Sequence, residues 1–156
     1  MEISPAGIAL IQSFEKCELT AYPDPAVGWK LPTIGWGHTA GVVQGQVIDQ
    51  ARADELLASD LAAFEAIVTC AVHVPLTQHQ FDALVSIVFN VGPGNPGHRD
   101  GIIWLANGAH STLLRTLNAG DYAGCAAEFP KWCHPANLPG ILRRRLAEQA
   151  MFDGAA

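Results

Sequence analysis

The chain is short of charge, and shortest of positive charge. Charged residues make up 15% of its 156 positions, and 15 Asp and Glu face 9 Lys and Arg for a net charge of −6. So little charge beside a 49% hydrophobic content excludes a disordered polymer. The acidic balance weighs against a nucleic-acid partner, because phosphate binding calls for a basic face. None of Cys17, Cys70, Cys125 and Cys133 forms a C-x-x-C pair, and the six histidines show no H-E-x-x-H or zinc-finger spacing. No metal and no other cofactor is therefore expected. The four cysteines read as free thiols, with one or two disulfides as the alternative in an oxidising compartment. Long apolar runs are missing too. The N-terminus has no basic segment followed by a long apolar one, and its apolar run from Ala6 to Ile11 is far too short for a bilayer. The expectation is a protein made in the cytoplasm without signal peptide or membrane anchor.

What is present suits one domain of ordinary size, long enough to bury a core without a metal or a disulfide. Ser4-Pro5 reads as a helix cap followed by a first-turn proline, and Ile3, Leu10, Ile11 and Phe14 recur at helical spacing. The pattern predicts a helix over about 5–16, with Glu15 in its last turn, where the negative end of the helix dipole disfavours a charged carboxylate. From Glu18 to Thr39, Pro23, Pro25, Gly28, Pro32, Gly35 and Gly37 break any helix. Short β-favouring pieces lie between them, Leu19 to Tyr22 and Thr33 to Trp36, and predict a small antiparallel sheet.

Helices follow. Asp49 caps one that runs to about Thr69 with Leu57, Leu61, Phe64 and Val68 as its apolar stripe. Thr77 to Gln80 has the form of a capping box ahead of Phe81, Leu84, Val85 and Val88. Residues 92–110 read as a long loop. Ser111 to Asn118 is a short helix stopped by Gly120, Asp121 caps another that Pro130 ends, and a last helix starts near Pro139 with Leu142 and Leu146 inward. The tripeptide Arg143-Arg144-Arg145 reads as a solvated helix face or a local basic patch. The whole is an α+β chain, mostly helical: one helix, a small sheet, five helices.

Two acids stand where a polar cleft can form. Glu15 ends the first helix, and Asp24 sits between two prolines that would project it. Thr33 follows on the next strand, where its hydroxyl can hold a water beside Asp24. Such a pair suits glycoside hydrolysis, in which one carboxyl protonates the leaving oxygen and the other serves water or the sugar carbon. Taken singly, each has a simpler structural reading: a surface Glu at a helix end, and an Asp capping its own turn. Glu18 competes with Glu15 for the first role.

The stretch from Phe14 to Asp24, FEKCELTAYPD, and the segment Thr33-Ile34-Gly35-Trp36-Gly37-His38-Thr39 resemble the phage lysozymes, glycoside hydrolase family 24. Their pattern of Glu, eight residues, Asp, a short variable loop and Thr falls on Glu15, Asp24 and Thr33. Residues 80–86, Phe89-Asn90-Val91-Gly92, Ser111 to Leu114, Leu117 to Tyr122, and Leu138-Pro139-Gly140 with Arg143-Arg144-Arg145 and Glu148 continue the likeness in order. Cys17 stands where the family commonly has Gly, and residues 93–110 are longer than the family's usual link.

The resemblance implies a two-lobed lysozyme-like fold over 1–156. A small sheet-containing lobe would take about 15–60, a helical lobe about 1–14 and 61–156, and the cleft would lie between them. It implies an endolysin that hydrolyses the β-1,4 bond between N-acetylmuramic acid and N-acetylglucosamine in peptidoglycan. Glu15 would be the general acid, and Asp24 with Thr33 would activate water in an inverting reaction. Asp24 would be the nucleophile in a retaining one. His38 is expected to brace the cleft floor, and Gln80, Asn90 and Trp104 to face substrate; for Gln80 the capping box is an equal explanation. A monomer is expected, released to the wall through a holin-type membrane pore. The alternatives are a lytic transglycosylase, which needs no carboxylate to activate water, and a non-catalytic wall-binding module, which would have no reason to keep all three polar residues.

Overall fold

Ser4 opens the first helix as expected. In the computed structural model, which describes residues 1–24, 27–133 and 139–155, α1 spans Pro5–Gln12. The Ser4 carbonyl accepts the Ile8 N–H at 3.0 Å, and its Oγ accepts from Gly7 at 3.3 Å. The helix stops four residues short of the expected end. The Phe14 and Glu15 N–H groups both donate to the Ile11 carbonyl, at 3.0 and 3.1 Å. The i−3 bond tightens the last turn and takes the chain off the helix axis. Glu15 therefore lies past the helix and not in its last turn, and the dipole argument made for it falls away. Pro25 of the expected turn, and Leu138 ahead of the last helix, lie outside the described residues.

The chain divides into two compact units: Ile11–Ala63, and Met1–Leu10 with Phe64–Ala156. In the first, β1 (Glu18–Asp24) and β2 (Gly28–Gly35) pair antiparallel. Tyr22 faces Thr33, Pro23 faces Pro32 and Asp24 faces Gly28. One step along β1 thus matches four along β2, so Trp29, Lys30 and Leu31 have no opposite residue and form a bulge. Beyond β2 the chain reverses at once. Ile34 and His38 exchange both backbone hydrogen bonds at 2.9 Å, with Gly35 and Gly37 at φ of 63° and 104° between them, values that side-chain-bearing residues rarely adopt. Ala21, Ile34, Val42 and Leu56, with Ile48 against them, form the core of this unit. Asp49 caps α2 (Gln50–Ala71), its Oδ1 accepting from the Arg52 N–H at 2.8 Å.

In the second unit α3 (Gln78–Val91) is buried on every side from Phe81 to Val88, the mark of a central helix. The Thr77–Gln80 capping box is formed in both directions. Ser111 caps α4 (Thr112–Asn118) and Asp121 caps α5 (Tyr122–Ala126). The expected stop at Pro130 is displaced: α5 ends at Ala126, and Pro130 lies within a 3₁₀ turn, Phe129–Lys131. The last helix, α6 (Pro139–Phe152), packs against α3.

That helix turns the opposite way from the expectation. Leu142 and Leu146 are 44% and 49% exposed, while Arg144, Arg145 and Glu148 are buried. The reason is a polar network that replaces an apolar stripe. Glu148 accepts from Ser86 Oγ at 2.7 Å and from Arg144 Nε at 3.1 Å, and pairs with Arg145 Nη1 at 2.8 Å. The tripeptide is not a solvated basic face. Among the described residues no helix is long and apolar enough to cross a membrane, and the described cysteines, all four, are free thiols.

Candidate active site

Three acids act on one residue of the hairpin, Tyr22. Glu15 is half-buried just past α1, and Glu18 and Asp24 stand at the two ends of β1. Tyr22 lies between them and reports their fields. Its phenol is pushed above its ordinary value first by burial, and then by the negative charges of Glu18, Glu15 and Asp24. Tyr22 is also the residue paired with Thr33. One hydroxyl-bearing cross-strand pair thus sits among the acids. Tyr22 was not singled out as a site residue from sequence, although it lies between Glu15 and Asp24 in the quoted motif.

The competitor Glu18 is engaged. Its carboxylate pairs with Lys16, whose ammonium is raised by that hydrogen bond and charge. Asp24 does two things at once. It ends β1, and its Oδ1 accepts the Val27 N–H at 3.0 Å, so the turn cap that was the simpler reading is present. This bond fixes the carboxylate direction on the hairpin. Thr33 is buried, and its hydroxyl donates to the Leu31 carbonyl at 3.4 Å. A hydroxyl that donates in one direction keeps acceptor lone pairs for a water.

The end of α1, from which the chain leads to Glu15, is tied down by Asp54. One of its oxygens, Oδ1, accepts from Gln12 at 3.3 Å, Trp36 Nε1 at 2.8 Å and Gln50 at 2.9 Å. These donors come from the end of α1, the turn after β2 and the start of α2. No local sequence pattern foretells a clasp whose donors lie up to 42 residues away. Cys17 has its thiol raised by burial, with its contact to Gln50 opposing. His38 has both ring nitrogens occupied. Nδ1 is 2.9 Å from both Asp60 oxygens, and Nε2 is 2.8 Å from the Ala40 carbonyl. That geometry suits a brace for the turn after β2.

The other expected site residues lie in the second unit. Asn90 lines a groove of ≈ 680 Å³ together with His98, Arg99 and Asp100 of the long loop after α3, and Trp132. The Asn90 side-chain oxygen accepts from Arg145 Nη2. Gln80 spends its Oε1 on the Thr77 N–H at 3.0 Å, within the capping box. Trp104 is elsewhere. It stacks on His110 with ring centroids 4.0 Å apart and borders a separate pocket with Ile67, Cys70 and His73. No group of three or more His, Cys, Asp or Glu among the described residues is placed to hold a metal.

A helix, a small antiparallel sheet and a run of helices, with the acids at the hairpin, define a lysozyme-like α+β fold. A crystal structure of a mutant lysozyme of Salmonella phage P22 has it, with a TM-score of 0.79 at 35% identity over 97% of this chain and 98% of that one. So does the muramidase domain of SpmX from Asticaccaulis excentricus, at 0.78 and 34% over 97% of each. Residues 12–148 match the phage lysozyme family, and the chain belongs to it. A relative described as an endolysin, from Acyrthosiphon pisum secondary endosymbiont phage 1, is 40% identical over 99% of this chain and 100% of its own length.

Proposed function

We propose that this phage lysozyme is a muramidase: it hydrolyses the β-1,4 bond between N-acetylmuramic acid and N-acetylglucosamine, with Glu15 as general acid and Asp24 with Thr33 delivering water. As a member of its family it is a peptidoglycan-hydrolysing endolysin; the bond and the residue roles are the proposal. The observation that carries it is the gathering of Glu15, Asp24 and Thr33 about Tyr22 in a chain that is similar to a muramidase domain along its length.

A glycosidic oxygen is a poor leaving group, so it must receive a proton as the bond breaks. Glu15 is half-buried just past the end of α1, which the Asp54 clasp holds, and supplies it. Asp24, oriented by the Val27 N–H, takes a proton from the water, and the Thr33 oxygen orients that water. Water attacks the sugar carbon opposite the leaving group, which gives inversion. Glu15 ends ionised and Asp24 protonated, and solvent exchange resets both. The protein acts as a monomer, made in the host cytoplasm and passed to the wall through a holin-type pore.

The test is the chemistry of the ends released from purified peptidoglycan. Hydrolysis at muramic acid leaves reducing N-acetylmuramic acid ends. Anhydro-muramic ends would mean a transglycosylase, reducing N-acetylglucosamine ends a different bond, and no ends a binding module.

A further inference from the structure

Among the described residues of its unit, the bulge in β2 carries the one exposed large aromatic side chain, Trp29, the other exposed large apolar residues (Leu19, Val27, Leu31, Val43 and Val47) being aliphatic. Trp29 and Leu31 are each 42% exposed, beside Lys30, which is exposed as well. An indole half in water, next to an exposed leucine and with no core role, is the kind of surface that marks a contact site. Its position is specific. Trp29 directly follows Gly28, the residue paired with Asp24. Adjacent Cα atoms lie about 3.8 Å apart and paired ones about 5 Å, so the Trp29 backbone is within about 9 Å of Asp24. The other end of the bulge is held by the site, because the Thr33 hydroxyl donates to the Leu31 carbonyl. The bulge is thus continuous with the proposed water-delivering pair. Bulges beside active sites commonly re-aim a side chain.

Charge adds a second, independent argument. Three cations lie in residues 11–63. Lys16 is paired with Glu18 and Arg52 with Glu55, while Lys30 has no acidic partner among the described residues.

We propose that Trp29-Lys30-Leu31 seats the peptidoglycan strand: the Trp29 indole packs on the apolar face of a sugar ring next to the scissile bond, and the Lys30 ammonium meets a carboxylate of the stem peptide. This rests on the muramidase reading above. It goes beyond it by placing strand recognition on a device that holds none of the reacting groups. Trp suits the task because a rigid ring offers large contact area at little entropic cost and keeps an N–H for a polar partner.

The experiment uses two substrates: intact peptidoglycan, and the same glycan strands stripped of their peptides. Trp29→Ala is expected to raise KM about tenfold on both, with kcat near wild type, and Trp29→Phe to recover most of the loss. Lys30→Ala is expected to raise KM about 2- to 5-fold on intact peptidoglycan alone, a difference that added salt abolishes by raising the wild-type KM. Stripped strands should also change the tryptophan emission of Glu15→Gln protein, and the change should be clearly smaller when Trp29→Phe is added, the rest coming from Trp36, Trp104 and Trp132. Unchanged KM in Trp29→Ala, or an emission change that Trp29→Phe leaves undiminished, would overturn the proposal. So would a loss confined to kcat. The muramidase reading fails separately: wild type would then release no reducing muramic ends, and the emission test would still decide on Trp29.

Discussion

Arg145 and Glu148 lie three residues apart on α6, both fully buried, with Nη1 and Oε2 2.8 Å apart. Burial dominates both groups, pushing the carboxyl up and the guanidinium down from their ordinary values despite the attraction between them. Such a pair is a modest source of stability while intact and a serious liability once broken.

Glu148→Gln is therefore expected to destabilise the fold by about 3–5 kcal/mol, because it leaves buried guanidinium charge without its counter-ion. Urea unfolding followed by circular dichroism measures this. Ser86→Ala placed on top of Glu148→Gln should cost less than Ser86→Ala alone, since its acceptor is already altered.

Cys125 makes the fold sensitive to alkali. Burial pushes its thiol up to about 12, so the neutral form is the one the folded state holds. A raised value means that the stability is fully present below the ordinary thiol range near 9. It is lost as pH climbs from there through about 12. Cys125→Ala should flatten the fall in melting temperature over that range. With a thiolate-specific reagent at pH 8, exposed Cys70 should react well before Cys125.

Water delivery should tolerate change better at Thr33 than at Asp24. Thr33→Ser keeps the hydroxyl and should lower kcat only mildly. Thr33→Val keeps the volume and removes the oxygen, and should do worse. Asp24→Asn should be severely impaired, while Asp24→Cys should keep more activity because a thiolate can serve there. Equal kcat for the Ser and Val variants would reduce Thr33 to a strand residue bonded to Leu31 of the bulge.

Local signals carried most of the fold. The Thr77 box, the Asp49, Ser111 and Asp121 caps and the paired glycines at 35 and 37 each fix backbone over a few residues, and each stands where its chemistry points. What stayed hidden was non-local. Leu142 and Leu146 look inward by spacing alone. The helix turned the other way because Glu148 finds Ser86 on α3, 62 residues away. The end of α1 was misjudged because apolar periodicity runs on through Phe14, while a bond to the Ile11 carbonyl at i−3 closes the turn. At the candidate site, the family resemblance singles out Glu15, Asp24 and Thr33, and their roles are the proposal. Tyr22, Asp54 and the Trp29 bulge depend on strand register and on contacts that no short motif encodes.

The most direct measurement is the rate of reducing-end release from purified peptidoglycan by Glu15→Gln, set beside Glu18→Gln and the wild type. A carboxamide cannot give up a proton, so Glu15→Gln should lose about 10²–10⁴-fold in kcat or more, with folding and KM little changed. Glu18→Gln loses only a surface partner of Lys16 and should stay close to wild type. Near-normal activity in Glu15→Gln beside a dead Glu18→Gln would contradict the account and move the general acid to β1.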